Sequence, residues 1–96
     1  MTVTATLGGV TIAASDRTVV VEGDHYFPPA DVQMRLLHPN ARRSLCLWKG
    51  IARYFDVEAD GVRAACAAWS YPHPSPLARR IKGHIAFWGG VEVHHG

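Results

Sequence analysis

The chain has few cysteines, few charges and no long apolar segment, and each scarcity excludes a class of protein. Cys46 and Cys66 are the only cysteines among 96 residues, too few for the disulfide framework of a small secreted domain. No apolar run approaches the roughly 20 residues that a membrane-spanning helix requires. The first residues, Met-Thr-Val-Thr-Ala-Thr, lack the basic and apolar parts of a secretory signal. We therefore expect a cytoplasmic protein with reduced thiols and no membrane partner.

Charge of either sign is also sparse. Charged residues make up 19% of the chain, the formal net charge is +2, and the lysines and arginines are not massed in one block. Proteins that bind duplex nucleic acid need many phosphate contacts, so this balance argues against a nucleic-acid partner. The hydrophobic fraction of 48% is enough to support a core, and the length suits one domain, residues 1–96.

Histidine occurs six times, yet without the spacing of a metal site. The histidines lie far apart except for a terminal pair: His25, His38, His73, His84, His94 and His95. Zinc sites usually draw pairs of ligands from closely spaced positions. The sequence therefore predicts neither a metal nor another cofactor.

Alternating apolar residues predict a β-hairpin over residues 2–14. Valine, alanine and leucine alternate with threonine, and the turn falls at Gly8-Gly9. A two-residue turn there places Ala5 opposite Ile12 and collects the apolar side chains on one face. The β-branched run from Thr18 to Glu22 predicts a third strand of the same meander.

A second hairpin is centred on the Asp-Gly dipeptide at 60–61. This dipeptide suits the positive φ angles of a type I′ turn. The resulting register places Glu58 opposite Arg63, a favourable charge pair, and Phe55 opposite Cys66. Cys66 is therefore predicted to lie in the core.

Two short helices are expected outside the hairpins. The first begins at Pro28-Pro29 and ends at His38-Pro39, and the second begins at Pro76 and ends at Gly83. A closing strand follows at 84–88. The predicted fold class is thus mainly β, a single domain of antiparallel folded sheets with two short helices.

A thiol, an indole and an ammonium stand together at Cys46, Trp48 and Lys49, just before Gly50. Strand alternation directs Cys46 and Trp48 to one face and Lys49 to the other, unless Gly50 lets the chain turn. Cys46 is a nucleophile if Lys49 or His25 stabilises its thiolate, and a buried structural cysteine if neither does. Both interpretations stay open at this stage.

Further polar and aromatic residues extend this set into a predicted small-molecule pocket. The expected ligand-binding side chains are Glu22, Tyr26, Trp48, Tyr54, Trp69 and His84. Tyr54 and Trp69 fall on the less apolar face of the central hairpin, beside alanines that leave room for a flat ligand. Pockets of this kind combine apolar walls with a few convergent polar groups.

Four segments spread over most of the chain carry a family resemblance: Glu22–Pro28, Cys46–Val57, Ala67–Pro72 and Ile81–Phe87. They resemble a small bacterial family, domain-of-unknown-function family 427, which is sometimes given a nucleotidyltransferase-like label. The resemblance implies a mainly antiparallel β architecture similar to the Mss4-like group of folded-over sheets. It implies no catalytic role, and the sequence lacks the paired aspartates and the glycine-rich phosphate loop that nucleotidyl transfer usually needs.

Two classes of function follow. In the first, the chain binds a small molecule of unknown identity and is either a binding protein or a cysteine-dependent enzyme. The enzyme would use Cys46 as nucleophile, Lys49 as stabilising charge and His25 or Glu22 as proton carrier. In the second, the chain is a non-catalytic binding or self-association module in which the strand edge at 91–93 or the region of Trp88 pairs with a second copy to form a homodimer. The sequence favours the first class.

Overall fold

Nine strands dominate the fold, as the computed structural model describes it for residues 2–95. They are β1 (Val3–Leu7), β2 (Val10–Ser15), β3 (Val19–Val21), β4 (Asp24–Tyr26), β5 (Leu37–Cys46), β6 (Gly50–Ala59), β7 (Val62–Ser70), β8 (Ile85–Phe87) and β9 (Glu92–His95). The helical residues within 2–95 form short 3₁₀ segments at Pro29–Asp31, Met34–Leu36 and Pro76–Ile81. The predicted mainly β, antiparallel class is confirmed, while the two predicted helices prove to be 3₁₀ turns.

The described strands pair antiparallel in three sheets. Their orders are β2-β1-β9, β3-β4 and β5-β6-β7-β8. A bridge joins the β3-β4 ribbon to the edge of the large sheet, because Phe27 N–H donates to the Ile85 carbonyl at 2.7 Å and Ile85 N–H donates back at 2.9 Å. Within the described residues, no helix has both the length and the apolar character needed to cross a bilayer.

The N-terminal hairpin forms at Gly8-Gly9 as predicted, but its register shifts. Ala5 pairs with Ala13 rather than with Ile12, because β2 carries an extra residue opposite the step from Ala5 to Thr6. This bulge lets both Ile12 and Ala13 turn into the core, where they are almost fully buried. A strict two-residue alternation could not have buried neighbouring side chains.

The predicted third strand of the meander is wrong. Residues 19–21 do form a strand, but β3 pairs with β4 across the Glu22-Gly23 turn and not with β2. The third strand of the N-terminal sheet is β9, which pairs with β1. Both turn residues have positive φ angles, 53° at Glu22 and 83° at Gly23, which suit a tight hairpin. Glu22 therefore lies in the turn of this short ribbon, and Asp24 lies at the start of β4.

The predicted first helix is also wrong beyond its first turns. Leu37 to Cys46 is a strand, so the segment His38-Pro39 continues β5 instead of ending a helix. β5 lies at the edge of the large sheet, where the missing N–H of a proline costs no ladder hydrogen bond on the open side. The first helix signal, two prolines followed by an aspartate, thus describes one 3₁₀ turn.

The central hairpin pairs Glu58 with Arg63 as predicted, but Phe55 pairs with Ala68 rather than with Cys66. Between Val57 and Phe55 the partner strand bulges, and Cys66 takes a positive φ of 54°. The Asp56 carboxylate accepts the Cys66 N–H at 3.0 Å and so stabilises the bulge. Cys66 is therefore half-buried, and its predicted core position against Phe55 is wrong.

Two hydrophobic clusters fill the interior. The first lies between the N-terminal sheet and the large sheet and is centred on Ile12, Phe27 and Val57. The second lies under the ribbon and the 3₁₀ segment at 76–81 and includes Tyr26, Tyr71, Ile81 and Ala86. Cys46, Tyr54 and Trp69 pack against the edge of this second cluster. The second cluster is therefore the floor on which the candidate site is built.

Candidate functional site

The turn between β5 and β6 directs Lys49 into the protein. Residues 47–49 form the turn, and Gly50 has a φ of 116°, a conformation that side chains rarely allow. A Cβ atom at Gly50 would lie 3.3 Å from the carbonyl oxygen of His73, so the loop at 72–75 also requires glycine. Lys49 is consequently 7% exposed, while Leu47 at the tip is 95% exposed. Gly50 thus lets the chain turn as the sequence allowed, and the Lys49 ammonium contacts Glu22.

The buried ammonium of Lys49 is paired and surrounded by aromatic rings. It donates a hydrogen bond to the carboxylate of Glu22, and it lies 5.5 Å from the ring centres of both Trp48 and Tyr71. Burial lowers the pKa of Lys49, but the hydrogen bond with Glu22 and the hydroxyls of Tyr26 and Tyr71 outweigh it, so the pKa is raised. The ion pair is therefore charged at neutral pH.

An open pocket of about 290 Å³ adjoins this ion pair. Its walls are four aromatic side chains, an ammonium and a carboxyl group: Asp24, Lys49, Tyr54, Trp69, Tyr71 and Trp88. The ribbon supplies Asp24, the β5–β6 turn supplies Lys49, and the large sheet with its flanking residues supplies the rings. Three distant parts of the chain thus converge on one hollow.

Hydrogen bonds and ring contacts hold the aromatic walls in fixed orientations. Trp69 donates its indole N–H to the hydroxyl of the fully buried Tyr26 at 3.2 Å. Trp69 and Trp88 meet edge to face with ring centres 5.8 Å apart. The Tyr54 hydroxyl is 2.9 Å from the hydroxyl of Ser44. These contacts preorganise the walls, which lowers the entropic cost of binding a ring between them.

Of the two charged side chains that line the pocket, Asp24 makes fewer hydrogen bonds than Lys49. Burial raises the pKa of Asp24, the Lys49 ammonium opposes that rise, and the Glu22 carboxylate adds to it. Within residues 2–95 the Asp24 carboxyl makes no side-chain hydrogen bond, whereas the Lys49 ammonium is already paired with Glu22. An ammonium has three protons, so Lys49 can still donate to a second acceptor.

Most of the sequence-predicted ligand-binding residues gather at this hollow. Tyr54 and Trp69 line it, Glu22 and Trp48 contact Lys49 at its rim, and Tyr26 supports Trp69 from below. The sequence reasoning missed Asp24, Tyr71 and Trp88. Asp24 and Tyr71 lie inside the segments that carry the family resemblance, and this position is a signal that could have identified them. No local sequence pattern indicates Trp88.

Both predicted histidines lie apart from the pocket. His25 follows Asp24 on β4 and, by strand alternation, faces the other way, where Nδ1 lies 2.8 Å from the Thr18 hydroxyl. Its ring meets His95 edge to face at 4.6 Å, and burial, followed by His95, lowers the pKa of His25. His84 Nδ1 lies 3.1 Å from the Lys82 carbonyl oxygen. The geometry gives no support to a proton-carrier role for His25 beside Cys46.

Cys46 is half-buried at the end of β5 and packs against the second cluster rather than lining the pocket. Both cysteines are free thiols. Residues 2–95 contain no group of three or more His, Cys, Asp or Glu side chains placed to hold a metal ion.

A second hollow of about 400 Å³ lies on the outer side of the β5–β6 turn. Gly50, Ile51, Arg53 and the proline-rich loop at 72–75 line it. Its titratable side chains are Arg53 and His73, which do not form a converging set with a carboxylate or a buried ammonium. It is therefore a weaker candidate for a small-molecule site than the aromatic pocket.

Comparison with known proteins supports the family resemblance. Residues 1–95 match the family labelled NTP_transf_9 and described as a domain of unknown function, DUF427. The comparison with curated proteins gave no match. The family description carries no activity. Because the match covers nearly all of its 96 residues, the chain belongs to the DUF427 family.

Proposed function

We propose that this domain binds a small, flat aromatic amine or nitrogen heterocycle in the pocket that Trp69 and Trp88 help to line. The observation that carries the proposal is the placement of Asp24 and Lys49 against the same aromatic walls. A pocket with apolar walls and few convergent polar groups has the composition of a ligand site.

The size of the pocket limits the ligand to one or two fused rings. A volume of about 290 Å³ is at the lower end of the range for small-molecule sites. Tyr54 and Trp69 are direct cross-strand partners, and Trp69 lies at right angles to Trp88, so a ring can stack on one and meet the edge of another. A larger ligand would extend into solvent.

Local charge favours a ligand that donates hydrogen bonds. Glu22 neutralises Lys49, so ionised Asp24 leaves the mouth of the pocket with a net negative charge. Negative charge and aromatic faces both attract an amine or a protonated ring nitrogen. A ring acceptor can meet a free proton of Lys49 while an exocyclic amine meets Asp24. An anionic ring would be repelled by Asp24.

A cysteine-dependent enzyme is the second hypothesis, because Cys46 packs beside the same cluster as Tyr54 and Tyr71. It is less well supported than binding, since Lys49 is paired with Glu22 and His25 faces away from the pocket. Binding requires no nucleophile and accounts for the convergent residues directly.

The test is a titration of the full chain with 4-aminoquinazoline. Binding is measured by the quenching of tryptophan fluorescence and by calorimetry. We expect saturable one-to-one binding that Trp88→Ala and Asp24→Asn each weaken by about tenfold, the loss of one charge-assisted hydrogen bond or stacking contact. Leu77→Ala, at an exposed site outside the pocket, is the matched control and should bind normally. The anion 2-naphthoate should bind at least tenfold more weakly. Equal binding of both compounds, or no effect of either pocket variant, would reject the proposal.

A further inference from the structure

Basic residues are concentrated in two segments that lack acidic residues altogether. Residues 37–55 and 72–91 contain seven of the ten lysines and arginines and none of the eight aspartates and glutamates. The two segments are in contact, because Ser75 N–H donates to the Lys49 carbonyl at 2.9 Å and the Ser75 hydroxyl donates to the Trp48 carbonyl. The fold therefore joins the two acid-free segments at the β5–β6 turn; Glu22 neutralises the buried Lys49, and the other six cations of these segments are exposed.

Exposed apolar side chains occupy the same end of the molecule. They are Leu45 (69% exposed), Leu47 (95%), Trp48 (37%), Ile51 (56%) and Leu77 (80%). Leu47 is at the tip of the turn, Leu45 and Ile51 are direct cross-strand partners behind it, and Leu77 lies two residues beyond the contact of Ser75 with the turn. Leu45, Leu47 and Ile51 thus lie together at the end of the hairpin, and Leu77 belongs to the segment that contacts this end.

Arg43 and Arg53 are direct cross-strand partners on the same face as Leu45 and Ile51. Like charges opposite one another destabilise a strand pair. Within residues 2–95 neither arginine is in an ion pair with a carboxylate, and Arg43 donates to the carbonyls of Asn40 and Arg42 at 2.9 Å. Arginine has five N–H donors, so donors remain for an external anion. An anionic partner would relieve this repulsion.

We propose that this surface, formed by Arg43, Leu45, Leu47, Ile51, Arg53 and Leu77, docks on an anionic lipid bilayer. The sequence predicted no membrane partner because it lacks a spanning segment; a peripheral contact needs none. The proposal goes beyond the small-molecule site, whose lining residues are all different from those of this surface.

The order of residues along the hairpin matches the layers of a membrane surface. Strands rise by about 3.4 Å per residue, so Arg43 and Arg53 lie about 7 Å behind Leu45 and Ile51. Peripheral segments bury their apolar face about 5–10 Å into the headgroup boundary. With Leu47 inserted to about that depth, Leu45 and Ile51 lie at the boundary and the arginines lie at the level of the lipid phosphates. Trp48, next to the tip, is a residue type enriched at that boundary. A projecting apolar tip backed by cations suits a layered partner better than a uniformly anionic one.

Vesicle co-sedimentation of the full chain tests the proposal. We expect binding to vesicles of equimolar phosphatidylcholine and phosphatidylglycerol that weakens as salt is raised, and at least tenfold weaker binding to phosphatidylcholine alone. Leu47→Asp should reduce binding by about tenfold or more, and Arg43→Gln and Arg53→Gln by roughly fivefold each. Leu47 is almost fully exposed, so its substitution should leave the melting temperature unchanged.

Two matched controls separate this surface from general effects. Val62→Asp places a charge on an exposed apolar residue at the opposite hairpin turn, and Arg35→Gln removes an exposed cation elsewhere; both should bind vesicles normally.

Vesicle binding that is unchanged in Leu47→Asp would overturn the proposal. So would binding to single-stranded RNA, or dimerisation in sedimentation, that Leu47→Asp abolishes while vesicles are not bound. Binding of 4-aminoquinazoline should be unaffected by Leu47→Asp, so failure here leaves the pocket hypothesis intact.

Discussion

The buried ammonium of Lys49 is held by the carboxylate of Glu22, which lies 27 residues earlier in the chain. The pair joins the β3–β4 turn to the β5–β6 turn and closes one side of the aromatic pocket. Because Glu22 is half exposed while Lys49 is buried, water can solvate the acid but hardly the ammonium. The charged form of Lys49 therefore needs the ion pair more than the charged form of Glu22 does.

This asymmetry predicts the effect of Lys49→Met. Methionine can fill the space of the lysine stem, and the freed Glu22 can be hydrated, so stability measured by urea unfolding should change by less than about 1 kcal/mol. Affinity for 4-aminoquinazoline should fall by about tenfold, because the charge-assisted donor is lost. An unchanged affinity would remove Lys49 from the site.

Asp24 should make both stability and binding depend on pH. Because the folded state raises its pKa, folding favours protonated Asp24; this contribution is fully present below the unfolded pKa and is lost as pH rises through the folded pKa. Asp24→Asn should therefore raise the melting temperature at neutral pH and weaken the decline of stability above pH 4. The affinity of the natural chain, divided by that of Asp24→Asn at the same pH, should fall as acid protonates Asp24, since a neutral carboxyl attracts an amine less. Parallel melting and titration series at pH 4 to 7 measure both effects, and superimposable profiles for the two proteins would contradict them.

Asp56 should be a strong stability determinant although it lies outside the site. Its carboxylate accepts the Cys66 N–H at 3.0 Å, the Asn40 amide at 2.8 Å and the Arg63 guanidinium at 2.9 Å. These bonds, in that order, lower the pKa of Asp56, so its stabilisation is present above the unfolded pKa and is lost as pH falls through the folded pKa. Asp56→Ala should cost about 1–3 kcal/mol in urea unfolding, mainly by leaving the bulge N–H without its acceptor. Cys66→Gly, which relaxes the positive φ, should lose much less; the reverse order would show that the bulge does not depend on Asp56.

Cys46→Ala distinguishes binding from cysteine-dependent catalysis. If the pocket is a binding site, the variant should bind 4-aminoquinazoline within about twofold of the natural chain, because Cys46 is not among the lining residues. An enzyme that uses this thiol should instead show rapid alkylation of Cys46 by iodoacetamide below pH 8, measured by peptide mass spectrometry, and slower alkylation when the pocket is filled. Cys66 in the same digest is the internal reference, since both thiols are half-buried.

The hairpins were predictable because turn chemistry and strand alternation are local. Gly8-Gly9 and the Asp-Gly turn at 60–61 occur where expected, with positive φ angles at all four residues. The registers beyond them were not predictable, since each bulge depends on a distant contact. Asp56 stabilises the bulge at Cys66 across the sheet, and no local pattern around residues 64–68 reveals that acceptor.

The site was predicted in part for the same reason. The sequence predicted a site at Cys46, Trp48 and Lys49 because they are neighbours in the chain. The fold brings Lys49 to Glu22 and Asp24 and leaves Cys46 at the edge of the second hydrophobic cluster. His25 was selected for its chemistry, and alternation along β4 turned it away from the pocket. Trp88 joined the site because its indole N–H donates to the carbonyl of Cys66 at the bulge.

By itself, the sequence determined the β class, the positions of two tight turns, at 8–9 and 60–61, and the supply of aromatic residues, because glycine, proline and alternating apolar residues act over a few neighbours. The tertiary structure alone decided which strands share a sheet, which acid neutralises Lys49 and which rings surround Asp24. Those choices depend on contacts between residues far apart in the chain, and their free energies depend on burial and on partners that no local pattern contains.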